Sequence, residues 1–405
     1  MHIPDDILRH IFVRAAADSL LSSIRISHVC RQWRLVAVSI SQLWNHFDYS
    51  MGIWVAQLQM SRVSPSAAIS VRISHRDLDS DGHSARGDEM DRWSILKWLI
   101  EAEIISFPRW NALYLELPGD AKWESVVDFF DMLSYRDDEL DSLAIRITQR
   151  LDKTALGSHL VKLRFRPRHF HLDGITFPVN ELARSLNRVE SIHHEGVRYV
   201  ALTSSPKPII LQQLSRAIFN NATPLYFFAH VEAPSLTILS LINAVKLNFF
   251  QLTVRVDLIN EFAPGLQHLQ IIDKQSLLLL WMVPLSSLPN LLTLHVEQCQ
   301  QRQYPDGEES LVRALISMNM SSTFPVLQKL TLQHVLTPPL EVEGLLQSLP
   351  ASTAAVTLIE CPQSDTISVD LMRATHDINL NIQLCDDVLE FQELGKHSWS
   401  WQGRA

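Results

Sequence analysis

The chain has 405 residues, of which 46% are hydrophobic and 20% charged, proportions typical of a folded protein rather than a disordered one. Its length exceeds that of one compact core, so two or more domains or an elongated repeat array are expected. The net charge of −9 argues against a general nucleic-acid binder, and the lack of a Gly-rich phosphate loop argues against nucleotide chemistry, so no cofactor is expected.

The cysteines and the apolar runs predict an intracellular protein, in the cytoplasm, the nucleus or both. The four cysteines are far apart and form no CxxC pair, which favours reduced thiols. The longest apolar run, residues 277–285, is broken by Pro284 and is about half the length of a membrane span. Early acidic residues replace the apolar segment of a signal peptide, so no membrane partner is expected.

The first apolar pattern predicts a helix that begins near Pro4. Proline suits a first helical turn because its missing N–H costs nothing there, and Asp5 and Asp6 interact favourably with the helix N-terminus. Apolar residues spaced three and four apart fall on one face of this helix: Ile3, Ile7, Leu8, Ile11 and Phe12.

A second helical pattern covers residues 20–37, and Leu43 and Trp44 follow it after a short break. Arg25, Arg31 and Arg34 lie on the polar side of this pattern. Fifty residues with this much apolar surface form a small bundle that is marginal alone. We therefore expect part of the surface to be buried in a partner.

Residues 1–50 resemble the F-box. Four matching pieces occur in the family's order and at its usual spacings: Ile3-Pro4, the helix ending Ile11-Phe12, the run Val29-Cys30-Arg31-Gln32-Trp33, and Leu43-Trp44. Two departures are visible. Ile3 replaces the usual Leu before Pro4, and residues 15–19 replace the more usual Leu-Pro between the first helices.

The resemblance implies that this module binds the Skp adaptor of a cullin–RING ligase. Pro4 and Leu8 are expected to contact the adaptor directly, whereas Trp33 and Ile11 could equally pack the module's own core. The residues to which the resemblance assigns adaptor contacts are Ile3, Pro4, Ile7, Leu8, Ile11, Val29, Cys30, Trp33, Leu43 and Trp44.

Residues 51–106 are predicted to connect this module to the rest of the chain. Within them, Ile69–Ile73 alternates apolar and polar residues, which predicts a strand. Residues 74–91 are rich in Asp, Ser, Arg and Gly and predict an exposed loop, and residues 89–105 carry a helical pattern.

A repeated pattern, Pro-x-Leu-x-x-Leu-x-(Leu/Ile/Val), organises the chain after residue 107. It begins at Pro108, Pro234, Pro264, Pro289 and Pro325, and versions without the proline begin at Leu140, Leu160 and Val189. Its last part alternates apolar and polar residues, as a strand with one buried face does. The register resembles that of leucine-rich repeats, although the spacing between repeats is irregular.

The predicted fold class is therefore α+β or an α/β repeat: a small N-terminal helical F-box followed by an irregular leucine-rich-repeat-like solenoid. The units stack because none can bury its apolar face alone. The array is predicted over residues 107–385, with helices at 123–133 and 310–318, a last strand at 379–384, and a cap or tail at 386–405. This layout resembles the large fungal F-box families.

Polar residues inside each strand would face a target, since that face is normally the concave binding surface. On this basis Tyr114, Gln270 and His295 are candidate target contacts. Residues 145–168 add seven Lys and Arg against one acid, which suits a carboxylate-rich or phosphorylated segment. The alternative is a solvated face balanced by the acids at 128–141. The basic target candidates are Arg146, Arg164, Arg166 and Arg168.

Two histidine clusters have some of the character of metal sites, His169-x-His171-x-Asp173 and His193-His194-Glu195. With 17 histidines such pairs arise by chance, and no further ligand set has a recognisable spacing, so surface or stacking roles are favoured and no metal is expected. No nucleophile motif or isolated carboxylate pair occurs, so the chain is not expected to be an enzyme.

These observations predict a substrate-recognition subunit of an SCF-type (Skp–cullin–F-box) ubiquitin ligase. The F-box would bind the Skp adaptor and, through it, the cullin–RING ligase, while the repeats would bind an unidentified target protein. The alternative is a scaffold that uses the same adaptor contact without degradation.

Overall fold

The computed structural model of the chain divides into two compact units, Met1–Ile175 with Leu394–Ala405 (unit 1) and Thr176–Glu393 (unit 2). The described residues are 3–16, 20–48, 58–59, 61–64, 67–73, 110–117, 140–147, 166–178, 186–200, 209–228, 230–243, 263–273, 288–298, 311–317, 319–335, 339–359, 361 and 379–383. In these ranges no helix has the length and apolar character needed to cross a membrane.

Unit 1 begins with three helices, α1 (Asp5–Ala16), α2 (Leu20–Ser27) and α3 (Arg31–Ser39), and a 3-10 turn at Ser41–Leu43. The predicted helix start is confirmed, with Asp5 and Asp6 in the first turn of α1. Helix α3 begins after Cys30, whose extended backbone and side chain form the N-cap.

Five strands of unit 1 pair in chain order, all parallel. Parallel strands need long crossover connections, which agrees with the wide spacing of the strands in the sequence. The strands are β1 (His46–Asp48), β2 (Ile69–Ile73), β3 (Trp110–Leu117), β4 (Ser142–Ile147) and β5 (His169–Asp173). The predicted strands at 69–73, 108–115 and 140–145 are thereby confirmed.

Unit 2 is a parallel-sheet solenoid. Its main sheet pairs strands in chain order and without register shifts. These strands are β7 (Ser191–Glu195), β10 (Arg216–Asn220), β12 (Ile238–Ile242), β13 (His268–Asp273), β14 (Thr293–Gln298), β15 (Lys329–Gln333), β16 (Ala355–Ile359) and β17 (Asn379–Gln383).

Smaller elements complete the described part of unit 2. Two short parallel pairs join β6 (Thr176–Pro178) to β8 (Arg198–Val200) and β9 (Ile209–Ile210) to β11 (Val231–Glu232). The helices are α4 (Pro224–Phe228), α5 (Leu311–Ser317), α6 (Met320–Thr323) and α7 (Pro339–Ser348).

The Pro-x-Leu motif forms the turn that leads into each strand. In the repeat before β13, the N–H of Leu266 donates to the carbonyl of Ala263 at 3.1 Å, which places Pro264 at the second position of the turn. Proline favours that position because its ring presets φ. The same bond precedes β12, β14 and β15, and the leucine that closes each turn is buried.

Backbone bonds also connect each repeat to the one before it. The N–H of Gln267 donates to the carbonyl of Thr237 at 3.0 Å, and that of Leu292 donates to Gln267 at 2.8 Å. Beneath these bonds, two apolar residues of each main-sheet strand from β10 to β16 face the core, as Leu294 and Val296 do in β14. Each fully buried leucine contributes about 1.5–3 kcal/mol to folding, so the repeats stabilise one another by stacking.

Most sequence predictions of elements that lie in the described ranges are confirmed. These are the strands predicted at 189–192, 234–241, 264–271, 289–296, 325–332 and 379–384 and the helix at 310–318. Residues 196–221, for which the sequence made no prediction, contain β8, β9 and β10. The predicted strand at 160–165, the helices at 89–105 and 123–133 and the loop at 74–91 lie outside the described residues.

Candidate protein-interaction surfaces

The three N-terminal helices surround one apolar core. The N–H of the Trp44 indole donates to the carbonyl of Ala37 at 2.9 Å, which holds the 3-10 turn against α3. Val63 belongs to the same core, and Ala67 packs against it, so the core extends beyond residue 50. The buried members are Leu8, Phe12, Ile26, Val36, Ala37, Ile40, Leu43, Trp44 and Val63.

Polar bonds join the start of α1 to the start of α3. The amide nitrogen Nε2 of Gln32 donates to the carbonyl of Ile3 at 3.1 Å and to Oδ1 of Asp5 at 3.0 Å. The sulfur of Cys30 accepts from the N–H of Trp33 at 3.5 Å. These bonds position the segment before α3 beside the beginning of α1.

Helix α1 presents an apolar stripe to solvent, which we call the α1 stripe: Ile3, Ile7 and Ile11, each four residues apart. Residues with this spacing are neighbours on a helix surface. All three are exposed, Ile7 by 51%. Val29, Leu35 and Val38 are exposed apolar residues of the same helical region, the last two on α3. The sequence analysis did not single out Leu35 and Val38, although both fall opposite the buried face of α3.

Among the described residues of unit 1, two arginines of the predicted basic cluster lie close to acidic residues. The Nε atom of Arg146 lies 2.9 Å from Oδ2 of Asp173, and Nη1 of Arg168 lies 3.7 Å from Oδ1 of Asp141. Arg166 is exposed, and Arg164 lies outside the described residues. The predicted seven-to-one excess of basic charge is therefore partly neutralised by acids on neighbouring strands.

Tyr114 is at the centre of this charged network. Burial raises the pKa of Tyr114, and the carboxylate of Glu116 raises it further, while Arg72 and Arg146 oppose the shift. The guanidinium carbon of Arg72 lies 5.2 Å from the centre of the Tyr114 ring. Burial alone would lower the pKa of Arg146, but Asp173, Tyr114 and Glu116 together raise it above its ordinary value. Tyr114 is thus held among alternating charges on the polar face.

In unit 2 the central residue of most strands on the polar face is buried. His295, predicted to contact a target, is only 3% exposed, and burial followed by the nearby charge of Lys329 lowers its pKa to about 4. Gln270 is half-buried and its Oε1 accepts a bond from Ser240 at 3.0 Å. The prediction for His295 is wrong in this respect: its side chain forms part of the packed sheet surface.

The two histidine clusters belong to different strands, β5 and β7. His169 and His171 share the polar face of β5, as the spacing of two residues requires. His193 and His194 point to opposite faces of β7, so their rings do not converge. Burial lowers the pKa of His193 to about 4, and the charge of Arg216 contributes.

His194 lies in an aromatic core of unit 2. Its Nδ1 atom shares a hydrogen bond with the hydroxyl of Tyr199, and its ring centre lies 5.7 Å from those of Phe219 and Phe227. Burial lowers the pKa of His194 to about 3, with a smaller effect from His193. The stacking role favoured by the sequence analysis agrees with this position.

Comparison with known proteins finds a match to the N-terminal helices. A family model described as F-box-like matches residues 1–50. The N-terminal helices form an F-box-like domain. No curated protein matches the chain in sequence. A solved structure titled "Crystal structure of TLR13-ssRNA13 complex" is similar at 15% identity and a TM-score of 0.34, over 68% of this chain and 36% of that chain.

The structure separates the ten residues proposed to contact the adaptor into three groups. Six are exposed on the F-box-like domain: Ile3, Pro4, Ile7, Ile11, Val29 and Cys30. Trp33 is half-buried, and its ring centre lies 4.9 Å from that of Phe12. Leu8, Leu43 and Trp44 are buried in the domain's own core, so the expected direct contact by Leu8 needs correction: helical spacing turns Leu8 inward and Ile7 outward.

Proposed function

We propose that this chain is a substrate-receptor subunit of an SCF-type ubiquitin ligase. The observation that carries the proposal is the exposed α1 stripe on a well-packed F-box-like domain. Soluble proteins seldom leave clustered aliphatic side chains in water unless a partner covers them. In this proposal the partner is the Skp adaptor, which connects the chain to the cullin–RING ligase.

Charge around the stripe supports a partner with an acidic rim. Where they are described, helices α1 to α3 expose more basic than acidic side chains, with Asp5 and Asp6 as the acids. The exposed basic residues are Arg9, Arg14, Arg25, Arg31 and Arg34. An apolar centre with a charged surround is the usual arrangement of a protein interface, and the charges mainly accelerate association.

Unit 1 joins the F-box-like domain to strands rather than to a free linker. The N–H of Ser70 donates to the carbonyl of Asn45 at 2.8 Å, and β1 pairs with β2. The guanidinium carbon of Arg62 lies 4.2 Å from the centre of the Trp44 ring. In a receptor, this connection would hold an adaptor at a fixed position relative to the strands of unit 1.

The chemistry of ubiquitin transfer would belong to other subunits, so the chain itself is proposed to be non-catalytic and to act inside the cell. Its contribution would be proximity. A target held by the receptor has a raised effective concentration near the charged conjugating enzyme. Leucine-rich-repeat character of the solenoid and membership of a fungal F-box family belong to the same proposal.

Adaptor binding tests the proposal directly. We expect the purified full chain to bind a Skp adaptor in calorimetry, and Ile7→Asp and Ile11→Asp to weaken binding at least about tenfold, because a buried unpaired carboxylate is costly. Leu340→Asp is the matched control, since Leu340 is 84% exposed on α7 of unit 2. Equal affinity of the wild-type chain and the α1-stripe variants would disprove the proposed contact.

A reconstituted ligation assay separates the receptor from the scaffold alternative. A protein that co-purifies with the chain should become ubiquitylated when adaptor, cullin, RING subunit and conjugating enzyme are added. The Ile7→Asp chain should not support the reaction. Adaptor binding without transfer to any co-purified protein would favour the non-degradative scaffold.

A further inference from the structure

The polar face of unit 2 has an unusual distribution of burial. The strands pair in register, so corresponding residues form rows across the sheet. The rows are numbered along the strands, so that Arg216, the first residue of β10, lies in the first row and Asn220, its last, in the fifth. The third row is largely buried, with Ser240, His295 and Thr331 at 3% exposure or less. The first and fifth rows, at the two ends of the strands, are half-exposed from β7 to β15. A partner would therefore contact the two outer rows.

The two outer rows carry opposite charge. The first row contains Arg216 on β10 and Lys329 on β15. His268 lies between them, and burial lowers its pKa, so it is neutral at pH 7. The fifth row contains Glu195 on β7 and Glu297 on β14. Cations thus mark the beginning of the strands and carboxylates their end.

On β12 and β13, isoleucines separate the charged residues within each outer row. Strand β12 has isoleucine at both ends, Ile238 and Ile242, where the repeat pattern normally places polar residues. Ile242 pairs with Ile272 on β13, and all three side chains are half-exposed. Ile218 on β10 is buried beside them. An apolar centre between charged residues resembles the anatomy of a protein interface.

The spacing of these groups selects the shape of the partner. Five residues of a strand separate the outer rows by ~13 Å, which matches the ~10–12 Å diameter of an α-helix and exceeds the width of one extended strand. Four strand steps separate Arg216 from Lys329, and likewise Glu195 from Glu297, a distance of ~19 Å that a helix of ~13 residues spans.

We propose that this face of unit 2 binds an amphipathic α-helix of a target protein, lying across the strands. The apolar stripe of the helix packs on Ile238, Ile242 and Ile272. Its carboxylates face Arg216 and Lys329, and its lysines or arginines face Glu195 and Glu297. The inference concerns the target side of the proposed receptor function and rests on that function for its biological meaning. Peptide binding itself does not require the adaptor.

Three synthetic helical peptides of roughly 16 residues test the proposal, since the four charges extend over five strand steps from β7 to β15, a distance of ~24 Å. All three have the same leucine face and differ only in the charged residues on the two sides of that face. The mixed-flank peptide has acidic residues on one side and basic residues on the other. The second peptide has basic residues on both sides, and the third has acidic residues on both sides. Fluorescence anisotropy with the full chain should show the mixed-flank peptide binding about tenfold more tightly than the others. Equal binding of all three, or binding of none, would overturn the proposal.

A charge reversal provides a control that misfolding cannot imitate. Arg216→Glu combined with Lys329→Glu makes both outer rows acidic, so the preferred peptide should become the one with basic flanks. Glu343→Lys, an exposed change on α7, should leave the order of affinities unaltered. A double variant that still prefers the mixed-flank peptide would refute the assignment.

The adaptor arm distinguishes this inference from the proposed function. The double variant should bind the Skp adaptor as the wild type does, and Ile7→Asp should bind the mixed-flank peptide normally. If the wild-type chain binds the adaptor but binds all three peptides equally, the helix-binding site is rejected and the ligase role is not. Selective peptide binding without adaptor binding would reject the ligase role and retain the site.

Discussion

The indole nitrogen of Trp44 donates a hydrogen bond to the carbonyl oxygen of Ala37, 2.9 Å away in the fully buried core of the F-box-like domain. The same carbonyl also accepts the backbone N–H of Ile40, the C-cap residue of α3, at 3.2 Å. On the other side of the ring lies the guanidinium of Arg62. Trp44 therefore connects the third helix to the segment that leads into β2.

Replacing Trp44 should destabilise unit 1 strongly. Trp44→Ala removes a fully buried ring and is expected to cost about 3–5 kcal/mol of unfolding free energy. Urea unfolding followed by circular dichroism measures this. Leu35→Ala, at a position 65% exposed on α3, should change the free energy by no more than about 0.5 kcal/mol. Similar urea midpoints for both variants would contradict this assignment.

Neighbouring residues of α1 should separate binding from stability. Leu8→Ala removes a side chain with 0% exposure and should cost about 2–5 kcal/mol of unfolding free energy. Ile7→Ala should leave the unfolding free energy nearly unchanged and weaken adaptor binding about fivefold, the effect of roughly 1 kcal/mol. Calorimetry and urea unfolding of both variants provide the comparison. An Ile7→Ala chain that is unstable but binds the adaptor normally would show that Ile7 stabilises the fold and does not contact the adaptor.

The buried histidine of unit 2 should make its stability depend on pH. The pKa of His194 is about 3 in the folded chain against 6.5 as its ordinary value, so the unfolded chain takes up the proton first. The contribution of the neutral His194 side chain to the unfolding free energy is complete above pH 6.5. This contribution is lost as the pH falls from about 6.5 toward 3. Between pH 7 and pH 5 the loss for this group is on the order of 2 kcal/mol.

Unfolding free energies of the wild type and His194→Leu at several pH values test this expectation. The unfolding free energy of the variant should fall less between pH 7 and pH 5 than that of the wild type. Part of the fall remains, because His193 and His295 also have a lowered pKa. Because leucine leaves the hydroxyl of Tyr199 without this partner, only the slope against pH is diagnostic. Parallel pH curves for the two chains would show that His194 is not the titrating group.

The turn before β13 should favour glycine over larger residues at Gly265. A Cβ atom there would lie 3.1 Å from the carbonyl oxygen of Pro234, a backbone atom of the preceding repeat. We expect Gly265→Ala to cost about 1 kcal/mol, because the turns must move apart. Val326→Ala at the corresponding exposed position before β15 should cost less than about 0.5 kcal/mol. Thermal unfolding of the two variants measures these costs. Equal losses of stability would argue against a close approach between Gly265 and the carbonyl oxygen of Pro234.

Several features could be derived from sequence because they depend on local chemistry. The Pro-x-Leu motif predicts both a turn, through the fixed φ of proline, and the strand after it, through alternation of apolar residues. Strands β12 to β15 begin where that motif places them. The F-box resemblance located the N-terminal helices for a similar reason, since Pro4, Asp5 and the apolar spacing are all local signals.

The candidate surfaces were less accessible from sequence. Alternation along a strand assigns a side chain to a face but says nothing of how deeply neighbouring strands bury it, so the sequence makes His295 a candidate target contact although it is buried. The acids at 128–141 are the sequence's candidate partners for the basic run at 145–168, and Asp141 does lie near Arg168, but Asp173 lies beyond that run in sequence and on the next strand in space. A residue's charge is local, whereas its pairing depends on the fold.

The sequence alone therefore determined the order of the elements, the helical character of the first fifty residues and the repeated strand register, all of which follow from backbone preference and hydrophobic period. Only the tertiary structure decided that Leu8 is buried while Ile7 is exposed, that Arg146 pairs with Asp173, and that cations and carboxylates form opposite rows in unit 2. Burial and electrostatics arise from atoms brought together across strands and helices, and no single segment of the chain contains that information.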